Sequence, residues 1–564
     1  MKFYSLFVIS LLVLSNVEAK TFLFPIPQHV EWTGSSVVLS NSFTFEGIQS
    51  SNLAKAADRY KKLIANEKWS PVQVTTDVSK VITSYNQLQG ILFQVHDNQV
   101  KLDIDVDESY RLSIPSKGGY ATLVAPTWVG ALRGLETFSQ LVIFNEEQFI
   151  AHSVNIEDYP AFGHRGILLD TSRNFYPVST ILHTLDAQSY NKMNVFHWHV
   201  SDSQSWPLYL KSHPELSEKG AYSSKEVYQP EDVERIIQYA NERGIRVIIE
   251  LDMPAHTGSI GESHPDYMTC RDKFWDEFAA EPPAGQLNPV HEGAFQLVKD
   301  VVVESTDIFP DTLYHTGGDE INDKCWMADE SVKKHMEENN LSTNELWFQW
   351  TNKLLDFVIN DRKKRPIIWE DPLKNGGSYP KETIVQIWTN PAKTYTDLGH
   401  DVIVSSYDYF YLDCGQGGWV GNDERFISPL QSHTKDDTFN YGGSGGSWCA
   451  PSKTWQRIYS YDMNLGIPKD SPGKIIGGET AMWSEQTGPT VLDGRLWPRS
   501  AAAAEIYWSG SYDEDNKRRT VKDVAERFHD WNYRLQARGI NSEPIQPKFC
   551  AKNPGLCDIH KPAL

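Results

Sequence analysis

The chain has 564 residues, of which 40% are hydrophobic and 23% charged, a globular balance that excludes a disordered or fibrous protein and calls for two domains. Its 53 basic and 74 acidic side chains leave a net charge of −21. That argues against nucleic acid or an anionic membrane surface as partner, since both need a positive face.

The first residues, "MKFYSLFVISLLVLSNVEAK", carry one early Lys2, an apolar run from Leu6 to Leu14 and small residues ending at Ala19. The run is too short to span a bilayer, so residues 1–19 read as a secretory signal peptide. No later stretch is long and apolar enough for membrane insertion, and the mature chain is expected to be soluble and exported. Six cysteines in an oxidising compartment read as disulfides, with fifteen possible connectivities. Cys550 and Cys557 are close enough to close a small C-terminal loop. Asn340-Leu341-Ser342 is the only sequon and makes Asn340 a candidate glycosylation site.

Residues 20–158 alternate short β-type runs with turns and are expected to form an α+β domain with an antiparallel sheet. Its one clear helix is "GALRGLETFSQLVI", with Leu132, Leu135, Phe138 and Leu141 on one face. "NIEDYPAFGHRG" reads as the junction. From 159 to 564 apolar runs alternate with amphipathic helices: "GILLD", "NVFHWHVSD", "RVIIELD", "TLYHTGGDE", "RPIIWED", "TIVQIW", "DVIVSSYDYFYLD" and "KIIGGETAMWSE". Eight such strands predict a (β/α)₈ TIM barrel, with a C-terminal extension after it. A doubly wound sheet is the alternative, but its GxGxxG turn is missing after the first strand.

Each of these strands begins apolar and ends in Asp, Glu, His, Trp or Tyr. In a barrel those ends share the active-site rim. The rim therefore collects Arg173, Asp202, Glu250, Asp252, His256, Asp319, Glu320, Trp369, Glu370, Trp388, Tyr407, Tyr411, Asp413, Trp483 and Glu485. Carboxylates, one arginine and several indoles suit a neutral polyhydroxylated ligand. Carboxylates and arginine grip hydroxyl pairs, and aromatic faces cover the apolar patches of a sugar ring.

Within "HTGGDE", Asp319 and Glu320 are sequence neighbours, whereas glycosidases normally flank the scissile bond with two separated carboxyls. Gly317 and Gly318 allow a kink that brings both into the pocket, aimed at different atoms. One can be a general acid with a pKa raised by burial and by its neighbour. The nucleophile can then come from the substrate: a 2-acetamido carbonyl oxygen attacks the anomeric carbon while the other carboxylate holds its N–H.

The chain closely resembles the β-N-acetylhexosaminidases of glycoside hydrolase family 20, through "LFPIPQ", "GALRGLETFSQL", "HRGILLDTSRNFYP", "NKMNVFHWHVSD", "ELDMPAHT", "HTGGDE", "IIWED", "IVQIW" and "IIGGETAMWSE". Substrate assistance is that family's mechanism. The resemblance implies that Glu320 is general acid and then base, that Asp319 orients the acetamido group, and that Tyr411 donates to its carbonyl oxygen. It places Trp369, Trp388 and Trp483 as pocket walls, Arg173, Asp202 and Glu485 on the terminal sugar's hydroxyls, and His256 in support of Glu320. Asp413 is the form suited to uncharged substrates. Disulfides Cys270–Cys325 and Cys550–Cys557 match the family, leaving Cys414–Cys449 to brace the Gly-rich insertion "NYGGSGGSWCAP". The expected partners are glycans of glycoproteins and oligosaccharides and a second copy of the chain in a homodimer. The acidic composition points to the lysosome, with secretion sharing the same leader.

Two rivals are set against this. His197 and His199 of "HWH" have the i, i+2 spacing of metal ligands, but later strand ends offer Trp, Tyr and Glu, so no metal or cofactor is expected. A catalytically silent carbohydrate-binding protein would have lost Asp319 or Glu320, and both are present.

Overall fold

Two sheets organise the chain. The structure, a computed structural model, describes residues 22–72, 86–419, 421 and 448–559. The expected leader and all but the end of the Gly-rich insertion lie outside these residues. Among them no helix is long and apolar enough to cross a membrane.

The first sheet contains β1 (His29–Glu46), β2 (Gln87–Asp97), β3 (Tyr110–Ile114), β4 (Gly119–Thr127), β5 (Val142–Phe144) and β6 (Phe149–Asp158), in the order β1-β2-β4-β3-β6-β5. It is mixed rather than antiparallel throughout: β1–β2 and β2–β4 run parallel. The cause is the helix Ser51–Glu67 between β1 and β2, a crossover that returns the chain in the same direction.

The helix Trp128–Leu141 is buried on every side, not on one apolar face alone. Leu132, Leu135, Phe138 and Leu141 pack with the sheet's core as its periodicity predicts. Its polar face is buried too, against the barrel and the C-terminal helix Val521–Ala537. Arg133 donates to the Gly244 carbonyl at 2.7 Å, and Glu136 accepts from Arg538 at 2.8 Å.

Glu108 sits at this junction between Arg133 (2.7 Å) and Arg165 (2.8 Å). Against the upward push of burial, the two guanidinium groups pull its carboxyl from 4.5 to about 2. A folded pKa below the unfolded one gives stability that is full above about 4.5 and is lost as pH falls from there through about 2. The junction thus stays ion-paired in mild acid. Glu108→Ala leaves two buried arginines without their anion, and denaturant unfolding should show a loss of about 3–5 kcal/mol. A loss well under 1 kcal/mol would mean that the guanidiniums find other partners.

The barrel is built from β7 (His164–Asp170), β8 (Val195–Ser201), β9 (Arg246–Leu251), β12 (Leu313–His315), β13 (Arg365–Trp369), β14 (Ile384–Ile387), β15 (Val402–Val404) and β16 (Ile475–Met482). All eight are parallel neighbours and close into a ring; β10 (Met268–Thr269) and β11 (Gln286–Leu287) form a small pair in the loop after β9. Val195, Ile248, Leu313, Ile367, Ile384 and Ile403, one from each of six strands, make one apolar layer.

The segment "DVIVSSYDYFYLD" is not one strand. β15 stops at Val404, Tyr407–Phe410 makes a helical turn, and Tyr411 rejoins the barrel by a single bridge to Ala481. The Ser-Ser-Tyr-Asp stretch cannot continue a strand buried on both faces. The six cysteines form Cys270–Cys325, Cys414–Cys449 and Cys550–Cys557. Asn340 is exposed at the left-handed C-cap of the helix Glu330–Asn339.

Candidate active site

The chain leaving β12 folds over the carboxylate of Asp252 at the end of β9. Gly317 has φ +65°, and a Cβ there would stand 1.7 Å from Asp252 Oδ1. Gly318 follows at φ +105° and donates its N–H to the same oxygen at 2.7 Å. Only glycine admits both the close approach and the backbone. Two residues on, Glu320 holds φ +53°, a left-handed conformation costly for a side chain with a Cβ and concentrated at functional sites.

This turn brings Asp319 and Glu320 around one imidazole. His256 Nε2 stands 3.2 Å from Glu320 Oε2 and 3.8 Å from Asp319 Oδ2. The two carboxylates therefore lie on one side of the cleft, not across a scissile bond. His256 Nδ1 meets Asp202 Oδ1 at 3.1 Å, and Asp202 Oδ2 takes Arg173 at 2.7 Å and His199 at 2.9 Å. Against the pull of burial, Asp202 and Asp319 hold His256 well above its usual pKa, as an imidazolium that donates to Glu320.

The row of alternating charge continues inward. His199 Nδ1 reaches Glu250 at 2.8 Å, and His197 lies between Glu250 (2.9 Å) and Glu479 (2.8 Å). Both histidines of "HWH" are thus engaged by buried carboxylates, which, against burial, lift His197 to about 9 and His199 to about 10. His197, Glu250 and His315 bring ligand-type atoms within 4.8 Å of one another, but all three are buried in the barrel interior.

Asp319 and Asp252 lie against each other in a buried position. Burial, then the Asp252 charge, pushes Asp319 well above the carboxylate range; burial pushes Asp252 up to about 6. Asp319 Oδ1 has no hydrogen-bond partner. A buried acceptor left open in a cleft is a position for a ligand's donor.

The cleft holds about 530 Å³ and is lined by Arg173, Asp202, His256, Asp319, Glu320, Trp388, Tyr411, Asp413, Trp483 and Glu485, all expected from sequence. Trp388 and Tyr411 lie parallel at 6.5 Å, with Trp483 6.0 Å from Tyr411. Burial lifts Asp413 to about 7, and Glu485 well above its range with help from the Glu281 charge.

Trp369 stands apart from this lining. It is 1% exposed, donates Nε1 to Glu250 at 2.7 Å and packs 5.9 Å from Trp483, beneath the wall rather than in it. Asp202 reaches the cleft, but its oxygens are taken by Arg173, His199 and His256.

Sequence reasoning missed Trp275, Glu281 and Trp448, which also line the cleft. Glu281 accepts from Arg173 Nε at 2.9 Å, and Trp448 stands edge-on to Trp388 at 5.8 Å. All three come from long loops rather than strand ends. The one signal for two of them is Cys270, whose bond to Cys325 ties the loop carrying Trp275 and Glu281 to the segment after Glu320. Asp371 was also passed over: it accepts from Trp388 Nε1 at 2.7 Å, and burial lifts it to about 7.

A parallel eight-stranded barrel whose C-terminal mouth holds paired acids beneath indole walls defines a barrel enzyme acting on carbohydrate. Residues 162–511 match the model of the glycosyl hydrolase family 20 catalytic domain, and residues 23–141 match a beta-acetyl hexosaminidase-like domain. Beta-hexosaminidase 1 of Coccidioides posadasii is 36% identical, over 95% of this chain and 94% of its own. The chitooligosaccharidolytic beta-N-acetylglucosaminidase of Bombyx mori is 34% identical, over 91% and 84%. The structure of Flavobacterium johnsoniae chitobiase superposes with TM-score 0.72 at 27% identity, covering 92% of this chain and 73% of that one. The chain belongs to glycosyl hydrolase family 20 and is a glycoside hydrolase of the β-hexosaminidase kind.

Proposed function

We propose that this enzyme removes terminal non-reducing N-acetyl-β-D-hexosamine residues from glycans through an oxazolinium intermediate, with Asp319 and Glu320 in separate roles. The observation that carries the division is the open, buried Oδ1 of Asp319 on the same side of the cleft as Glu320. Asp319 accepts the acetamido N–H there and directs the carbonyl oxygen onto the anomeric carbon. As that C–O bond forms, the glycosidic C–O bond breaks and the Glu320 carboxyl gives its proton to the leaving oxygen. Glu320, now a carboxylate, takes a proton from the water that opens the oxazolinium ring, and the configuration is retained.

Tyr411 donates to the acetamido carbonyl oxygen; burial and the Asp319 charge keep its hydroxyl protonated. Trp388 and Trp483 enclose the acetyl methyl and the sugar ring. Arg173 and Glu485 bind the hydroxyls of the terminal sugar, and Asp202 and His256 act through Arg173 and Glu320. Trp369 supports that wall from beneath. Asp413 disfavours anionic sugars. Exposed Trp419 and Trp448 at the mouth offer faces to the rest of the glycan. The Bombyx mori relative, named for chitooligosaccharides, supports such substrates here. We assign residues 1–19 as a secretory leader, 20–158 and 159–564 as the two domains, and a homodimer in the lysosome or outside the cell as the working state.

The test compares two aryl β-glycosides in mild acid, identical but for a 2-acetamido or a 2-hydroxyl group. Cleavage of the acetamido substrate alone is expected. Equal cleavage of both would mean that an enzyme carboxylate attacks the sugar.

A further inference from the structure

The sequence contains the same four-residue pattern twice, Ser212-His213-Pro214-Glu215 and Ser263-His264-Pro265-Asp266. The first copy follows β8 and opens the helix Pro214–Gly220; the second follows β9 and opens the short helix Pro265–Tyr267. The fold sets them against each other outside the cleft. His213 Nδ1 stands 3.0 Å from Glu215 Oε1, and His264 Nε2 stands 3.4 Å from the same oxygen. Ligand-type atoms of all three residues lie within 4.8 Å of one another.

We infer that His213, Glu215 and His264 form a binding site for a divalent transition-metal ion of the zinc class. Imidazole and carboxylate ligands hold zinc at about 2.0–2.1 Å, so neighbouring ligand atoms of a tetrahedral site stand about 3.3 Å apart. Both histidine-to-glutamate separations are already within a few tenths of an ångström of that spacing.

The outer partners are also present. A metal-bound histidine donates its second ring N–H to a carboxylate or another oxygen, which fixes its tautomer. His213 Nε2 faces Asp300 Oδ2 at 3.4 Å, and His264 Nδ1 faces Ser263 Oγ at 2.9 Å. Each ring thus has one nitrogen tied outward and turns the other toward Glu215. His264 is further held flat on Tyr267, with centroids 4.9 Å apart. Glu304 accepts from the backbone N–H of Lys211 and Ser212 and fixes the strap that carries His213.

The site is reachable. The side chains of His213, Glu215 and His264 are 20%, 31% and 19% exposed, so water can complete the coordination. Its place in the fold gives it a use: it ties the loop after β8, which carries Asp202, to the loop after β9, which carries His256. A metal here braces the two loops behind the general acid without touching substrate.

The full chain is stripped with chelator, titrated with zinc ion alone near neutral pH, and assayed for bound metal and thermal midpoint. One equivalent should bind at micromolar free zinc and raise the midpoint. His264→Gln should weaken binding by more than the roughly 10–100-fold that a lost outer partner costs, and Asp300→Asn by about that factor. Both variants, without zinc, should cleave the aryl substrate as the parent does, which shows that they are folded. No binding by the parent at micromolar zinc would overturn the site. So would undiminished binding by His264→Gln, which would place the ion on another cluster such as His256, Asp319 and Glu320.

Discussion

Replacing Glu320 by Gln should lower turnover by about 10²–10⁴-fold, the range that one general acid–base residue supplies, while an unreactive sugar inhibitor still binds. Gln keeps the shape, and its carbonyl can still accept from the His256 imidazolium, now 3.2 Å from Glu320 Oε2. The row from Arg173 through Asp202 and His256 therefore has no reason to move. What Gln lacks is a proton to give the leaving oxygen and a basic oxygen to take one from water. The two steps separate by leaving group. An aryl substrate whose phenol leaves easily needs little protonation, so its first step should suffer less than that of a natural glycan. The second step has no such escape, and the intermediate should accumulate. Near-normal turnover on a natural glycan would remove Glu320 from the acid role.

The barrel and most of this site were legible because strand ends are legible. Arg173, Asp202, His256, Trp388 and Trp483 each follow an apolar run, and a barrel sends all such ends to one mouth. Three features were not readable, each for a physical reason. Glu281 and Trp275 sit in a loop with no periodicity, and contacts with the distant Arg173 and Gln204 give Glu281 its place. Trp369 has the same sequence context as Trp388, yet lies beneath the wall, because burial depth depends on packing that no local pattern encodes. The polar face of the helix Trp128–Leu141 looks solvent-exposed in sequence. It is buried because Glu108 and the C-terminal arginines, far apart in the chain, meet its charges and its carbonyl ends. Periodicity records which face is apolar; it does not record that the other face meets its own partner.

Asp319→Asn should cost about 10²–10³-fold in kcat, the loss typical when one preorganised electrostatic group is removed from a developing charge. The change is nearly isosteric, and Gly317 and Gly318 still hold the turn over Asp252. An amide in this place can accept the acetamido N–H through its oxygen, so ground-state binding should change little. It carries no negative charge, however, and the oxazolinium ring is positive. In the native cleft Asp319 is an ionisable carboxyl beside that ring, and the positive charge developing there favours its ionised form. The variant should accordingly lose affinity for a cationic bicyclic mimic of the intermediate by about the factor it loses in kcat/KM, since only interactions stronger in the transition state speed the reaction. Affinity for the neutral product sugar should barely move. Equal losses on both ligands would mean that Asp319 merely shapes the pocket, and a kcat within a fewfold of the parent would mean that the acetamido group needs no help from this carboxylate.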